Sequence, residues 1–186
     1  MLSKLFAIKV TGAVAATVVA TAGMAAASPG RTAAAQLAHA KKAITKYELP
    51  ATARKAGYGL LQDAKGVNCI ADSMGGMGVH LVNGTLVGDA TVKAGQPEAV
   101  VYEPGSDGRL HLVAAEYVVF AAKWDAKHKS TPSLFGHPFA LVGAGNRYGL
   151  PAFYELHTWS WRHNPMGTFM DYNPTVTCAH STELYR

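Results

Sequence analysis

The sequence predicts an α+β protein in which N-terminal helices pack on a small, mainly antiparallel β-sheet, with a long ordered loop near residues 121–151. Three observations favour this class. Helical periodicity is confined to residues 32–57, short apolar runs typical of strands follow from residue 66, and Asn-Gly, Pro-Gly and Asp-Gly pairs separate these runs. Helices followed by a series of strands are typical of α+β rather than α/β architecture.

Residues 1–27 have the pattern of a secretory signal peptide. Lys4 and Lys9 supply the positive start, and Ala25-Ala26-Ala27 supplies the small residues of a cleavage site. We therefore expect cleavage after Ala27, a secreted or extracytoplasmic location, and one globular domain over 28–186. An uncleaved membrane anchor is the alternative. No second apolar run of spanning length follows, so no membrane span is expected after cleavage.

The predicted helical segment covers residues 28–57 and precedes a sheet core over 58–186. An amphipathic helix is expected over 32–47, and a second short helix between Pro50 and Gly57. Helical spacing places four apolar residues on one stripe of the first helix: Leu37, Ala40, Ile44 and Tyr47. Its remaining faces are basic, which indicates either a solvated surface or an interaction surface that uses Lys41, Lys42 and Lys46.

Four strands are predicted in the sheet core. They cover residues 77–83, 98–103, 109–120 and 154–162, and the second and third form a hairpin through a Gly105-Ser-Asp-Gly108 turn. Gly and Pro recur between the third and fourth strands, which predicts the long ordered loop at 121–151.

The two cysteines, Cys69 and Cys178, are expected to form a disulfide. An exported chain meets an oxidising compartment, and a bridge between these positions would tie the start of the sheet core to its end. A metal site with thiolate ligands is the alternative, but the chain has no C-x-x-C spacing.

The candidate metal ligands are His80, Glu116 and His157. Each is a metal-capable side chain in the middle of a predicted strand. Glu116 is the one charge in a predicted row of side chains on one strand face, which otherwise holds Leu112, Ala114 and Val118. Two histidines and one carboxylate can bind a divalent transition metal, Zn, Fe, Mn or Cu, and leave coordination positions open. We assign Glu155, on the same predicted strand face as His157, the role of orienting that imidazole. The alternative is a buried polar network without metal and without a cofactor.

Three further residues are candidates for contact with a small-molecule ligand. Trp159 and Trp161 alternate with His157 and offer flat aromatic surfaces, and His137 lies in the predicted long loop. The alternative for the two tryptophans is packing within the core.

Composition restricts the function classes. The formal net charge of +5 over 186 residues is ordinary, so no nucleic-acid partner is expected. Dinucleotide-binding, nucleophile-elbow and H-E-x-x-H motifs do not occur in the sequence, so no reaction or catalytic residue is predicted. The hypotheses left are metal-dependent chemistry on a small molecule and a non-catalytic ligand-binding or interaction protein.

The chain resembles a set of exported bacterial proteins of unknown function. Three segments carry this resemblance and cover most of residues 58–178: GGMGVHLVN, PEAVVYEPGSDGRLHLVAAEYVV and ELHTWSWRHNPMGTFMDYNPTVTC. The resemblance implies export and a single domain, and it assigns no catalytic residues.

Overall fold

A computed structural model describes residues 29–182 of the chain, so the predicted signal peptide lies outside the described residues. The helical elements are α1 Pro29–Ile44, a 3-10 turn at Thr45–Glu48, α2 Pro50–Lys55, α3 Gly84–Val87 and α4 Ala121–Asp125. Among these residues, no helix combines the length and apolar character that a membrane crossing requires.

The strands of the main sheet are β1 Gly59–Leu60, β2 Cys69–Asp72, β3 Gly75–Val82, β4 Ala99–Pro104, β5 Leu110–Phe120, β8 Ala140–Val142 and β9 Phe153–Thr158. This sheet is antiparallel at every pairing and has the strand order β1-β3-β4-β5-β9-β8, with β2 also paired to β3. A separate hairpin pairs β6 Ser133–Leu134 with β7 His137–Pro138. Helices together with a mainly antiparallel sheet give the chain an α+β composition.

The segment predicted as one long loop contains regular structure. Helix α4 and strands β6, β7 and β8 all lie within 121–151. Each strand there has only two or three residues, which is too short for side-chain alternation to be recognised in the sequence. Strand β8 extends the main sheet by pairing with β9, so this segment contributes to the sheet that carries the candidate site.

One face of the sheet carries the largest buried cluster. Its members from the long strands alternate in sequence, as a period of two requires: Val79, Leu81, Val100, Tyr102, Ala115, Tyr117 and Leu156. Ala40, Ile44 and Tyr47 belong to the same cluster, and the Tyr102 hydroxyl donates a 2.7 Å hydrogen bond to the Tyr47 carbonyl oxygen. The residues between them on each strand therefore project from the other face.

A β-bulge interrupts the alternation along β5. Leu112 pairs with Tyr102 and belongs to the large cluster, whereas Ala114 belongs to a second cluster, and the register shifts between them at Val113. The apolar row predicted from Leu112 to Val118 is therefore wrong at Leu112. From Ala114 onwards the alternation holds, and this part of the strand positions Glu116.

The predicted disulfide is confirmed. Cys69 and Cys178 are bonded to each other and are separated by 109 positions in sequence. Because this bond occupies both sulfurs, the chain uses neither of them as a thiolate metal ligand.

Candidate metal centre

The sheet register brings the three predicted metal ligands together. Glu116 of β5 pairs directly with His157 of β9, and on its other side it pairs with Ala99 of β4. His80 of β3 lies two residues before Val82, which is the β3 partner of Ala99. Because side chains two residues apart share a face, His80 lies diagonally across β4 from Glu116. The small side chain of Ala99 leaves room for their approach.

A glycine permits the close pairing of β3 with β4 just before His80. Gly78 has φ +96°, and a Cβ atom there would lie 2.6 Å from the backbone oxygen of Tyr102. A side chain at this position would separate the strands or change the backbone conformation. Gly78 therefore contributes to the placement of His80 without touching the other ligands.

The ligand atoms converge. His80 Nε2 lies 3.5 Å from Glu116 Oε2, and His157 Nδ1 lies 3.8 Å from Glu116 Oε1. One ligand atom from each residue lies within 4.8 Å of the others. Donors around a tetrahedral ion are about 3.4 Å apart when the bonds are about 2.1 Å long. Side-chain movements of roughly 1 Å or less would therefore close the group around an ion.

The group is buried and its imidazoles lack hydrogen bonds. His80, Glu116 and His157 are exposed by 1%, 5% and 0%. Within the described residues, no hydrogen bond of normal geometry reaches any of the four ring nitrogens of the two histidines, although the backbone of Gly78 partly offsets the lowering of the His80 pKa by burial. The contacts to Glu116 are longer than the 2.7–3.2 Å typical of such bonds. A structural polar network normally satisfies its buried donors and acceptors, so this arrangement differs from one.

Burial keeps both imidazoles in their neutral form at neutral pH. It lowers the pKa of His80 to about 4, and it lowers the pKa of His157 well below the usual value, with His80 as a second cause. Neutral imidazole is the form that binds metals. Burial also raises the pKa of Glu116, and the neighbouring carboxyl of Glu155 raises it further. A bound cation would act in the opposite direction on this carboxyl.

The structure assigns Glu155 a different partner from the predicted one. Glu155 pairs with Val118 on β5, and its carboxyl lies close enough to that of Glu116 to raise the pKa of Glu116. Besides Glu116, the acidic group beside His157 is Asp171, whose Oδ1 lies 3.8 Å from His157 Nδ1. The prediction that Glu155 orients His157 is therefore wrong, since Glu155 acts on Glu116. Asp171 was missed because it follows an irregular segment in which no periodicity relates it to β9.

The three predicted ligand-contact residues lie in separate places. Trp159 is buried and stacks on His157, with ring centroids 5.9 Å apart, and its Nε1 donates to the Met170 carbonyl oxygen at 2.5 Å. Trp161 packs against the large cluster, because β9 ends at Thr158 and strand alternation stops there. His137 lies in β7, where its ring centroid is 3.9 Å from that of Phe169. The structure thus places Trp159 beside the metal-ligand group and brings neither of the other two to it.

Comparison with protein-family models, with curated proteins and with solved structures finds no significant match.

Proposed function

We propose that this protein binds one divalent transition-metal ion through His80, Glu116 and His157. The observation that carries the proposal is the pair of buried imidazoles whose four ring nitrogens lack hydrogen bonds. An unsatisfied buried polar group costs about 1–3 kcal/mol, and coordination would offset this cost at two of the nitrogens. The convergence of three ligand atoms within 4.8 Å supports the same conclusion.

The donor set favours some ions over others. Two imidazole nitrogens and one carboxylate oxygen suit Zn(II), Fe(II), Mn(II) or Cu(II), whereas Ca(II) and Mg(II) prefer oxygen ligands throughout. Three protein ligands leave positions open on each of these ions. A bound metal would supply Lewis-acid or redox chemistry at those positions, and the protein would hold it in a site that is nearly closed to bulk water.

We propose an extracytoplasmic location for the metal-bound protein. The Cys69–Cys178 disulfide supports it, because disulfides persist mainly in oxidising compartments. The signal-like pattern of residues 1–27 and the resemblance to exported bacterial proteins point in the same direction. The N-terminal residue of the protein recovered from the culture medium or periplasm tests cleavage after Ala27.

Titration of metal-free protein with Zn(II) tests the metal centre. We expect one ion per chain, and we expect His80→Leu and His157→Leu each to weaken binding at least 100-fold. Each variant should also raise the free energy of unfolding of the metal-free protein by about 1–3 kcal/mol, because leucine fills a similar volume without unsatisfied nitrogens. Calorimetric titration and urea unfolding in the presence of a chelator measure the two effects.

His111→Leu is the matched control. His111 is an exposed histidine on β5, the strand that carries Glu116, and it contacts Asp107 rather than the candidate centre. Its replacement should leave Zn(II) binding unchanged. If His157→Leu keeps its metal, or if both leucine variants destabilise the metal-free protein, the cluster is a structural polar network and the proposal is wrong.

A further inference from the structure

An apolar pocket of about 220 Å³ adjoins the candidate metal centre. It lies on the same face of the sheet, since Val82 and Val118 each follow a metal-ligand candidate by two residues on β3 and β5. Its walls are aliphatic and aromatic, with Leu61, Val82, Val87, Val118, Phe120 and Phe153 among them. Glu116 supplies the one carboxylate in the lining. The same carboxylate therefore faces the two histidines and borders the pocket.

We propose that this pocket binds a small apolar carboxylate, whose hydrocarbon part fills the pocket and whose carboxylate occupies an open position on the metal. This inference rests on the proposed function, because the metal fixes the polar end of the ligand. It adds the chemical class of the molecule that the site accepts.

The size of the pocket limits the hydrocarbon part. An apolar cavity of about 150 Å³ is large enough to hold benzene. A pocket of about 220 Å³ therefore accommodates one ring with a small substituent, and a fused polycyclic molecule would not fit. Apolar walls with few polar groups are typical of small-molecule sites in which one polar contact fixes the orientation.

Charge determines the polar end of the ligand. A divalent ion bound to two neutral imidazoles and the Glu116 carboxylate carries one net positive charge within this ligand set, and the carboxyls of Glu155 and Asp171 lie outside the set. An oxyanion neutralises this charge and supplies the oxygen donor that these ions accept. Without the ion, the two neutral imidazoles and Glu116 supply no positive charge, so a buried carboxylate would lose its hydration without a cation to compensate for it. Binding of the carboxylate should therefore require metal, whereas binding of a hydrocarbon should not.

Toluene and benzoate are the probes that separate these contributions. They have similar size, and only benzoate carries an oxyanion. Ligand-observed NMR titrations of Zn(II)-loaded and chelator-treated protein should show toluene binding to both forms with affinities within twofold. Benzoate should bind the Zn(II) form at least tenfold more tightly than the metal-free form. Co(II) substitution gives a second readout, because benzoate coordination should change the visible spectrum.

Val118→Phe tests the position of the ligand. Val118 lines the pocket, and a phenyl ring there takes up much of its volume. The variant should lose at least tenfold in affinity for toluene and for benzoate while it still binds one Zn(II). Leu141→Phe is the control, because Leu141 is an exposed residue of β8 outside the pocket lining. If Val118→Phe fails to fold, Leu150→Trp narrows the same pocket from a partly exposed position.

The outcomes distinguish the two proposals. Absence of toluene binding, or toluene binding that Val118→Phe leaves unchanged, overturns the pocket assignment, while a normal Zn(II) stoichiometry keeps the metal centre. Benzoate affinity that is the same with and without Zn(II) overturns the contact between carboxylate and metal. Toluene binding without any Zn(II) uptake refutes the metal centre, and the proposed ligand class fails with it.

Discussion

Removal of the Cys69–Cys178 disulfide is expected to lower the free energy of unfolding by about 3–5 kcal/mol. The bond joins residues 109 positions apart, and closing a loop of about that length is worth roughly 4–5 kcal/mol in the chain-entropy model. It connects β2, which pairs with β3, to the C-terminal segment that follows β9. The bond therefore keeps the two ends of the sheet core together in the unfolded chain as well. This lowers the conformational entropy of the unfolded chain and so stabilises the folded protein.

The measurement is urea unfolding of the oxidised protein and of the Cys69→Ser/Cys178→Ser double variant. The double substitution avoids a free thiol that could form bonds between chains. The oxidised protein with and without reductant provides a second comparison on an unchanged sequence. A loss below about 1 kcal/mol in both comparisons would show that the reduced chain keeps these segments together by other contacts.

Replacement of Glu98 by glutamine is expected to remove a large pH-dependent loss of stability. Glu98 precedes β4, is 2% exposed, and accepts a 3.0 Å hydrogen bond from the Val118 amide. Burial raises the pKa of this carboxyl from 4.5 to about 8. The folded protein therefore keeps a proton on Glu98 over a pH range in which the unfolded chain has lost it. Stability must then fall as the pH rises from about 4.5 to 8.

The expected loss is about 1.4 kcal/mol per pH unit within this window and reaches about 4 kcal/mol near pH 8, above which it levels off. Glu98→Gln keeps an oxygen for the Val118 amide and does not titrate. The variant should match the wild type near pH 4.5 and exceed it increasingly up to pH 8 in urea unfolding with a chelator present. The other titratable groups are common to both proteins, so the difference between the two stability profiles reports Glu98 together with its electrostatic effect on Glu116.

Glu48→Gln is the control for this series, because Glu48 is an exposed carboxyl at the end of the 3-10 turn. Its pH profile should follow that of the wild type. A Glu98→Gln profile parallel to the wild-type profile would mean that the folded protein ionises Glu98 without the expected cost.

The sequence was sufficient to predict the residues of the candidate centre, because strand alternation is a local property. His80, Glu116 and His157 lie near the middle of long strands, where flanking apolar residues define which face each side chain occupies. That the three strands also place them at one point depends on register, which the spacing in sequence does not specify. The approach of His80 to Glu116 also requires that β4 pairs between β3 and β5. It further requires a small residue opposite Glu116 on β4, and this residue is Ala99.

Other features depended on tertiary contacts and could not be predicted. The bulge at Val113 adds one residue to β5 and moves Leu112 to the other face, although the sequence around it continues to read as a regular strand. β9 ends at Thr158, which places Trp159 and Trp161 in different clusters. Asp171 reaches His157 from an irregular segment, where no local pattern indicates which side chains meet.

The origin of the three ligand candidates in β3, β5 and β9 has a consequence for the order of folding. No fragment shorter than residues 80–157 contains all three, and pairings between residues so distant in sequence form slowly because long loops must close first. Metal affinity should therefore develop in the last phase of refolding, after the β4–β5 hairpin has formed. The ion would then serve as a kinetic marker of the completed sheet, and it would stabilise the native state rather than earlier intermediates.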